Sequence, residues 1–270
     1  MHASTVRNLL VRGMIAGVLA GLFAFALAYV AGEPSVRDSI ALEETQSALA
    51  HQHGAAAPGD APASEEEEEL VSRPVQSTFG LATGVLVYGV ALGGIASLVF
   101  AVSLGRIGRF GPRATAALIA GAAFVTVYLV PFLKYPATPP AVGNPDTIGK
   151  RTTLFFLMIL VSVGLAAIAV IAGRRLAPRL GNWNASVVAG AGYAVAVAVA
   201  CLVLPANTDA VRESFPAALL WEFRLASLGV QALLWTAFGL IFGALAERVL
   251  QPRIAAQAGV GVSSPVGTAR

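Results

Sequence analysis

The sequence is short of charge. Asp, Glu, Lys and Arg make up 12% of its 270 residues, whereas a soluble domain carries roughly 25%. Hydrophobic residues make up 56%, and this combination indicates an integral membrane protein. Cys201 is the single cysteine, which excludes an internal disulfide, so cysteine usage indicates no redox compartment.

Several motifs of enzymes and nucleotide-binding proteins are also missing. The sequence has no glycine-rich loop followed by Lys and Ser/Thr, no His-Glu-x-x-His and no Gly-x-Ser-x-Gly. These motifs bind phosphate, hold catalytic zinc and present a nucleophilic serine, respectively. The arginines lack the interleaved aromatic residues of a nucleic-acid surface. We therefore predict that the protein is not an enzyme, holds no permanent cofactor and binds no nucleic acid.

Six segments free of charged residues are long enough to cross a bilayer, which needs about 20 apolar residues. Continuous runs of this length favour helices, because a membrane strand spans about 10 alternating residues. The segments are residues 13–31, 78–104, 114–133, 152–173, 185–204 and 225–246. We predict one membrane domain, an all-α bundle of six transmembrane helices. Three helical hairpins are one possible arrangement of the six helices. Segments one, three and five each end near a proline, whereas segments two, four and six each end in arginine followed by proline.

The first segment is longer than the apolar part of a signal peptide, which has about 7–15 residues. It also contains Gly13, Gly17 and Gly21 at four-residue spacing, a pattern that lets two helices pack closely. We therefore interpret it as a retained helix. At the other end of the chain, we expect residues 252–270 to form a flexible tail.

Positive charge predicts the orientation, because Lys and Arg accumulate in cytoplasmic loops. With the N-terminus inside, eleven of the eighteen basic residues lie on the inner side, and fourteen of the fifteen acidic residues lie outside. We therefore expect both termini in the cytoplasm. A negative outer face raises the local concentration of cations, and solubility of the outer loops explains the same pattern.

Between the first two segments the sequence becomes polar. Glu33-Pro34 is followed by residues 35–50, which we predict to form a short helix at the outer interface. Residues 51–70 contain His51, His53 and a run of five glutamates, and their composition predicts a flexible acidic loop. Imidazole and carboxylate suit divalent ions such as cobalt, nickel and zinc. An acidic loop with incidental histidines is an equally good interpretation.

The proline-rich connector (residues 131–151) follows the third segment. One helix cannot run through it, because each proline lacks an N–H and clashes with the preceding turn. Irregular polar backbone near a bilayer occurs where protein buries it or where a water-filled cavity meets it. A mouth or gate and a rigid external connector are therefore equally supported. In the last segment, Gln231 is an amide inside a predicted span, where polar groups usually face the bundle or a pathway.

Several blocks of this sequence resemble the CbtA family of bacterial membrane proteins. They are Glu33-Pro34, Ile40–Glu44, Ser72–Gln76, Pro131–Pro136, Pro139–Gly143 and Leu220–Arg224, and the likeness extends from the first segment to Arg248. The resemblance implies a multi-pass subunit of the bacterial inner membrane that takes up cobalt for cobalamin synthesis. It implies Co²⁺ as the transported ion and a small single-helix partner, CbtB, with a homo-oligomer left open. It also implies five spans, where we count six.

Our hypothesis assigns residues to metal capture and to a transport path. The metal-binding candidates are His51, His53, Glu43, Glu44 and Glu33. The path candidates are Gln76, Lys134, Tyr135, Asp146, Glu222, Arg224 and Gln231. The rival hypotheses are an assembly or stabilising subunit whose partner binds the metal, and a permease for nickel or another divalent cation. The lack of acidic residues in the predicted spans favours the assembly subunit.

Overall fold

The structure, a computed structural model, describes residues 3–54, 72, 75–140, 142, 147–206, 211 and 215–260, without the side chains of residues 47, 50–54 and 252–260. The described residues form helices and no strand. The α-helices are α1 (Ala3–Leu27), α2 (Glu33–Gly54), α3 (Leu81–Ser103), α4 (Pro112–Ala123), α5 (Val130–Lys134), α6 (Ile148–Val203) and α7 (Ala217–Val260). Three π-helical segments, Ala28–Gly32, Gln76–Gly80 and Phe124–Leu129, connect some of them.

A π-turn carries the first helix past Pro34, where the sequence predicts a helix end. In an α-helix the proline ring clashes with the carbonyl four residues earlier, which here belongs to Val30. The wider turn at Ala28–Gly32 shifts that carbonyl, and the Glu33 N–H bonds to the oxygen five residues back. The predicted interfacial helix of residues 35–50 is consequently part of α2, which continues α1.

The same device precedes Pro131. The π-segment Phe124–Leu129 contains Val127, whose carbonyl would otherwise meet the proline ring. The helical structure then continues through α5 and ends at Lys134, as the third predicted segment indicates. Both prolines therefore widen a helix rather than end it.

The fourth and fifth predicted segments fall within α6, so the described residues contain five long apolar helices where we predicted six. Gly181 interrupts α6 with φ 76° and ψ 161°, a conformation that suits glycine because it has no Cβ. The chain reverses there. Ser162 Oγ lies 2.9 Å from the Tyr193 hydroxyl, whereas a straight helix of that length would separate them by about 46 Å. We call the two arms on either side of Gly181 the α6 hairpin.

Two predicted flexible segments lie largely outside the described residues. The backbone of α2 is helical to Gly54 and that of α7 to Val260, so the first residues of each segment are helical. Residues 55–71 and 261–270 are outside the described residues, and their flexibility stays a prediction.

The chain divides into two compact units. The first comprises Met1–Phe23, Val85–Ala123 and Leu233–Arg270, and the second comprises Ala24–Gly84 and Phe124–Ala232. In the first unit, α1 and α3 meet backbone to backbone. A Cβ on Gly13 would lie 2.6 Å from the Gly93 oxygen, and one on Gly89 would lie 2.5 Å from the Gly17 oxygen. The spacing of the α1 glycines correctly predicts this close packing.

Helices α4 and α7 pack in the same unit. A Cβ on Gly243 would lie 3.4 Å from the Ala116 Cβ, so small residues again allow close approach. Arg113 Nε lies 2.6 Å from Glu247 Oε2. This ion pair joins the beginning of α4 to the last part of α7 that has described side chains.

Candidate functional site

Glu33 is the most buried acidic side chain among the described residues. It begins α2 directly after the first π-segment, and its side chain is 6% exposed. Its Oε1 lies 3.7 Å from Nε of Arg37, one turn later, whose side chain is 58% exposed. A buried carboxylate is costly unless cations or hydrogen-bond donors compensate it. Among the described carboxylates, that of Glu33 is the most enclosed by the fold, and it lies beside the exposed Arg37.

The other predicted metal ligands lie further along α2. Glu43 and Glu44 are exposed, and about 15 Å of helix separates Glu43 from Glu33 at 1.5 Å per residue. The backbone of His51 and His53 belongs to α2, but their side chains lie outside the described part. Among the described side chains, no three His, Cys, Asp or Glu residues are grouped closely enough to hold a metal ion. The predicted metal site stays a prediction.

The carbonyl oxygens of the connector accept hydrogen bonds from distant helices of the second unit. Ser39 Oγ donates to the Pro140 oxygen at 2.7 Å, and Arg224 Nε donates to the Ala137 oxygen at 3.3 Å. Prolines cannot supply backbone donors of their own, so these side chains satisfy carbonyls that the irregular backbone leaves open. The contacts favour a fixed connector over an open mouth.

Tyr135 anchors the start of the connector. It is 6% exposed, packs in the hydrophobic cluster around Met158, and donates its hydroxyl to the Pro205 oxygen at 2.8 Å. Burial, with a smaller contribution from Cys201, raises the pKa of the Tyr135 phenol above its ordinary value of 10.0, so the hydroxyl remains a donor at neutral pH. The Lys134 ammonium lies 5.8 Å from the ring centroid, within reach of a cation–π interaction.

Among the described residues, the remaining path candidates do not lie together with Tyr135 and Lys134. Gln76, at the start of the second π-segment, and Glu222 are exposed. Gln231 has a buried Oε1 without a hydrogen-bond partner. Asp146 lies outside the described residues. Among the described residues, the path candidates that lie on or against the connector are thus Lys134, Tyr135 and Arg224.

Sequence reasoning missed Ser39, which is 1% exposed and holds the connector. The available signal was its spacing from Ser35, because residues four apart share a helix face and Ser35 is also buried. Sequence reasoning also missed the hydrogen bond that joins Ser162 and Tyr193. No local pattern indicates that contact, since it depends on the reversal at Gly181.

A comparison with protein families then decides which family this arrangement represents. The profile of a family described as a probable cobalt transporter subunit (CbtA) matches residues 6–247. The chain belongs to the CbtA family. Comparisons with curated proteins and with solved structures gave no match.

Membership of the CbtA family gives the site a context. A transporter subunit is not an enzyme. The family description names cobalt as the transported ion, and the word subunit implies that other subunits take part. Together with the five helices of the described residues that are long and apolar enough to cross a membrane, it indicates a membrane protein.

Proposed function

We propose that this protein is the multi-pass subunit of a cobalt uptake system in the bacterial inner membrane. It works with a small single-helix CbtB-type subunit and supplies cobalamin synthesis. The observation that carries the proposal is the CbtA match across residues 6–247. The reversal at Gly181 supports six crossings, because it folds two apolar runs of α6 against each other. Six crossings and the arginine distribution support a cytoplasmic location for both termini.

In this proposal the outer part of α2 collects the ion. Glu43 and Glu44 are exposed, so they act by raising the local concentration of cations rather than by fixed coordination. His51 and His53 supply imidazole, which cobalt accepts well. Glu33, whose carboxylate is already buried, then receives the ion.

From Glu33 the ion moves on past neutral amide oxygen atoms, next to a connector that is fixed in place. The unpartnered Oε1 of Gln231 is an oxygen ligand without a competing donor, and Gln76 supplies a second amide. Lys134, Tyr135 and Arg224 keep the connector in place. Glu222 and Asp146 add negative charge at the entrance.

Uptake of radioactive cobalt by cells tests the role of Glu33. Glu33→Gln removes the charge and preserves the shape of the side chain, so we expect uptake to fall to background at equal expression. The matched control is Glu44→Gln, on the same helix and exposed, which should lower uptake by less than about twofold because surface charges are screened by salt. Normal uptake by Glu33→Gln would remove this residue from the path.

The rival function is an assembly subunit whose partner binds the metal. The absence of a three-ligand group among the described side chains favours it. Calorimetric titration of the purified chain with Co²⁺ separates the two functions. Binding without the partner supports the transporter, and binding only by the partner supports the assembly subunit. Competition of radioactive cobalt uptake by excess Ni²⁺ identifies a permease with broader or nickel preference.

The orientation is tested by cysteine labelling. In a Cys201→Ser background, Thr45→Cys places a thiol at an exposed position of α2. A membrane-impermeant maleimide should label it in intact cells. Labelling that requires opened cells would overturn the inward direction of the proposed path.

A further inference from the structure

Three arginines precede the turn of the α6 hairpin. Arg174, Arg175 and Arg179 lie in the last two helical turns before Gly181, and all three are exposed. We call them the turn arginines. None of the ion pairs among the described residues involves them. Arg175 and Arg179 are four residues apart, a spacing at which like charges repel unless an anion lies between them.

In the proposed arrangement of six crossings, the turn lies just outside the hydrocarbon. Residues 152–173 are free of charge, and this length of helix rises about 33 Å against a hydrocarbon core of about 30 Å. The arms remain paired up to the turn, since a Cβ on Gly173 would lie 3.2 Å from the Ala189 Cβ. Just past Gly181, Trp183 is 80% exposed, and tryptophan prefers the depth of the lipid headgroups.

We propose that this turn is a binding site for the headgroup of an anionic phospholipid. A guanidinium presents paired N–H donors that match two phosphate oxygens, and three of them converge on one membrane interface. Each basic side chain near an anionic membrane surface contributes about 1 kcal/mol. The exposed apolar side chain of Ile171 lies one turn before the turn arginines, on their membrane side. This apolar neighbour fits the acyl chain of a lipid, whereas a soluble phosphate would leave it uncovered.

Fluorescence quenching at Trp183 tests the proposal. Trp221→Phe and Trp235→Phe leave Trp183 as the one indole of the chain. The full-length protein is reconstituted in phosphatidylcholine vesicles that contain either brominated phosphatidylglycerol or brominated phosphatidylcholine. We expect brominated phosphatidylglycerol to quench the Trp183 fluorescence at a mole fraction at least fivefold lower than brominated phosphatidylcholine needs. A factor of about five corresponds to about 1 kcal/mol. Raising the salt concentration should reduce this preference.

Two variants make the test specific. Arg174→Gln/Arg175→Gln/Arg179→Gln should abolish the preference, whereas Arg106→Gln/Arg109→Gln, exposed arginines of another loop, should leave it unchanged.

Equal quenching by both lipids in the parent protein would overturn the proposal, and so would a preference that survives the triple substitution. Displacement of phosphatidylglycerol by an acidic peptide, at an equal concentration of negative charge, would assign the turn to a protein partner. This result would also overturn the lipid site.

Discussion

A close backbone approach in the first unit makes a sharp prediction for Gly89→Ala. Gly89 of α3 faces Gly17 of α1, and an alanine Cβ at position 89 would lie 2.5 Å from the Gly17 carbonyl oxygen and 3.2 Å from its carbonyl carbon. Neither atom can move away like the end of a flexible side chain, because both belong to helical backbone. The two helices must therefore separate.

The size of the effect follows from this geometry. A carbon–oxygen contact is comfortable from about 3.3 Å, so the helices must move apart by about 0.8 Å at this point. Overpacking of this kind costs typically 1–3 kcal/mol. Lipid does not drive the helices back together, since their association depends on packing. We expect Gly89→Ala to lower the free energy of unfolding by about 2 kcal/mol.

The same helix offers a matched control. A Cβ on Gly84 of α3 would meet no atom within 4 Å, so Gly84→Ala should leave the free energy of unfolding unchanged or raise it by up to about 1 kcal/mol, the helix preference of alanine over glycine. Unfolding by sodium dodecyl sulfate in mixed micelles, followed by circular dichroism, measures both variants. Equal losses of stability at Gly84 and Gly89 would refute the reasoning, because a Cβ at Gly84 meets no atom of another helix and its loss could not come from contact.

Two further substitutions probe the second unit. Tyr135→Phe leaves the Pro205 oxygen without its donor and should lower the free energy of unfolding by about 1–2 kcal/mol, measured in the same micelles. Because the pKa of Tyr135 is raised in the folded state, the parent should keep this stability below about pH 10 and lose it as the pH rises through the raised value. If the Phe variant lost as much stability above pH 10 as the parent does, this reasoning would be contradicted. Gln231→Leu removes a buried acceptor without a partner and should raise the free energy of unfolding by about 1 kcal/mol, yet lower cobalt uptake. A stable variant with normal uptake would take Gln231 out of the path.

The apolar runs predicted the positions of two of the long helices closely. Residues 114–133 match the span Pro112–Lys134, and residues 78–104 match Gln76–Ser103. A charge-free run of this length in a bilayer must pair its backbone internally, and the helix is the local solution. The glycine spacing of α1 likewise predicted close packing, because a small residue every four positions leaves one face of a helix flat.

Proline misled the sequence reasoning at Pro34, and the reason is physical. The proline ring excludes an α-turn, but a π-turn shifts the offending carbonyl at the cost of one displaced hydrogen bond. Whether a chain ends its helix or widens it depends on what the next residues pack against. At Pro34 the continuing helix buries Ser35 and Ser39, and Ser39 bonds to the connector.

Composition, run length and short motifs are local properties, and they were enough to predict a helical, membrane-compatible chain similar to the CbtA family. The burial of Glu33, the hydrogen bonds by which Tyr135 and Arg224 hold the connector, and the reversal of α6 at Gly181 depend on how the helices pack. These features join residues up to about a hundred positions apart. Such contacts arise when helices pack, and the spacing of residues along one helix does not specify which distant carbonyl a side chain will meet.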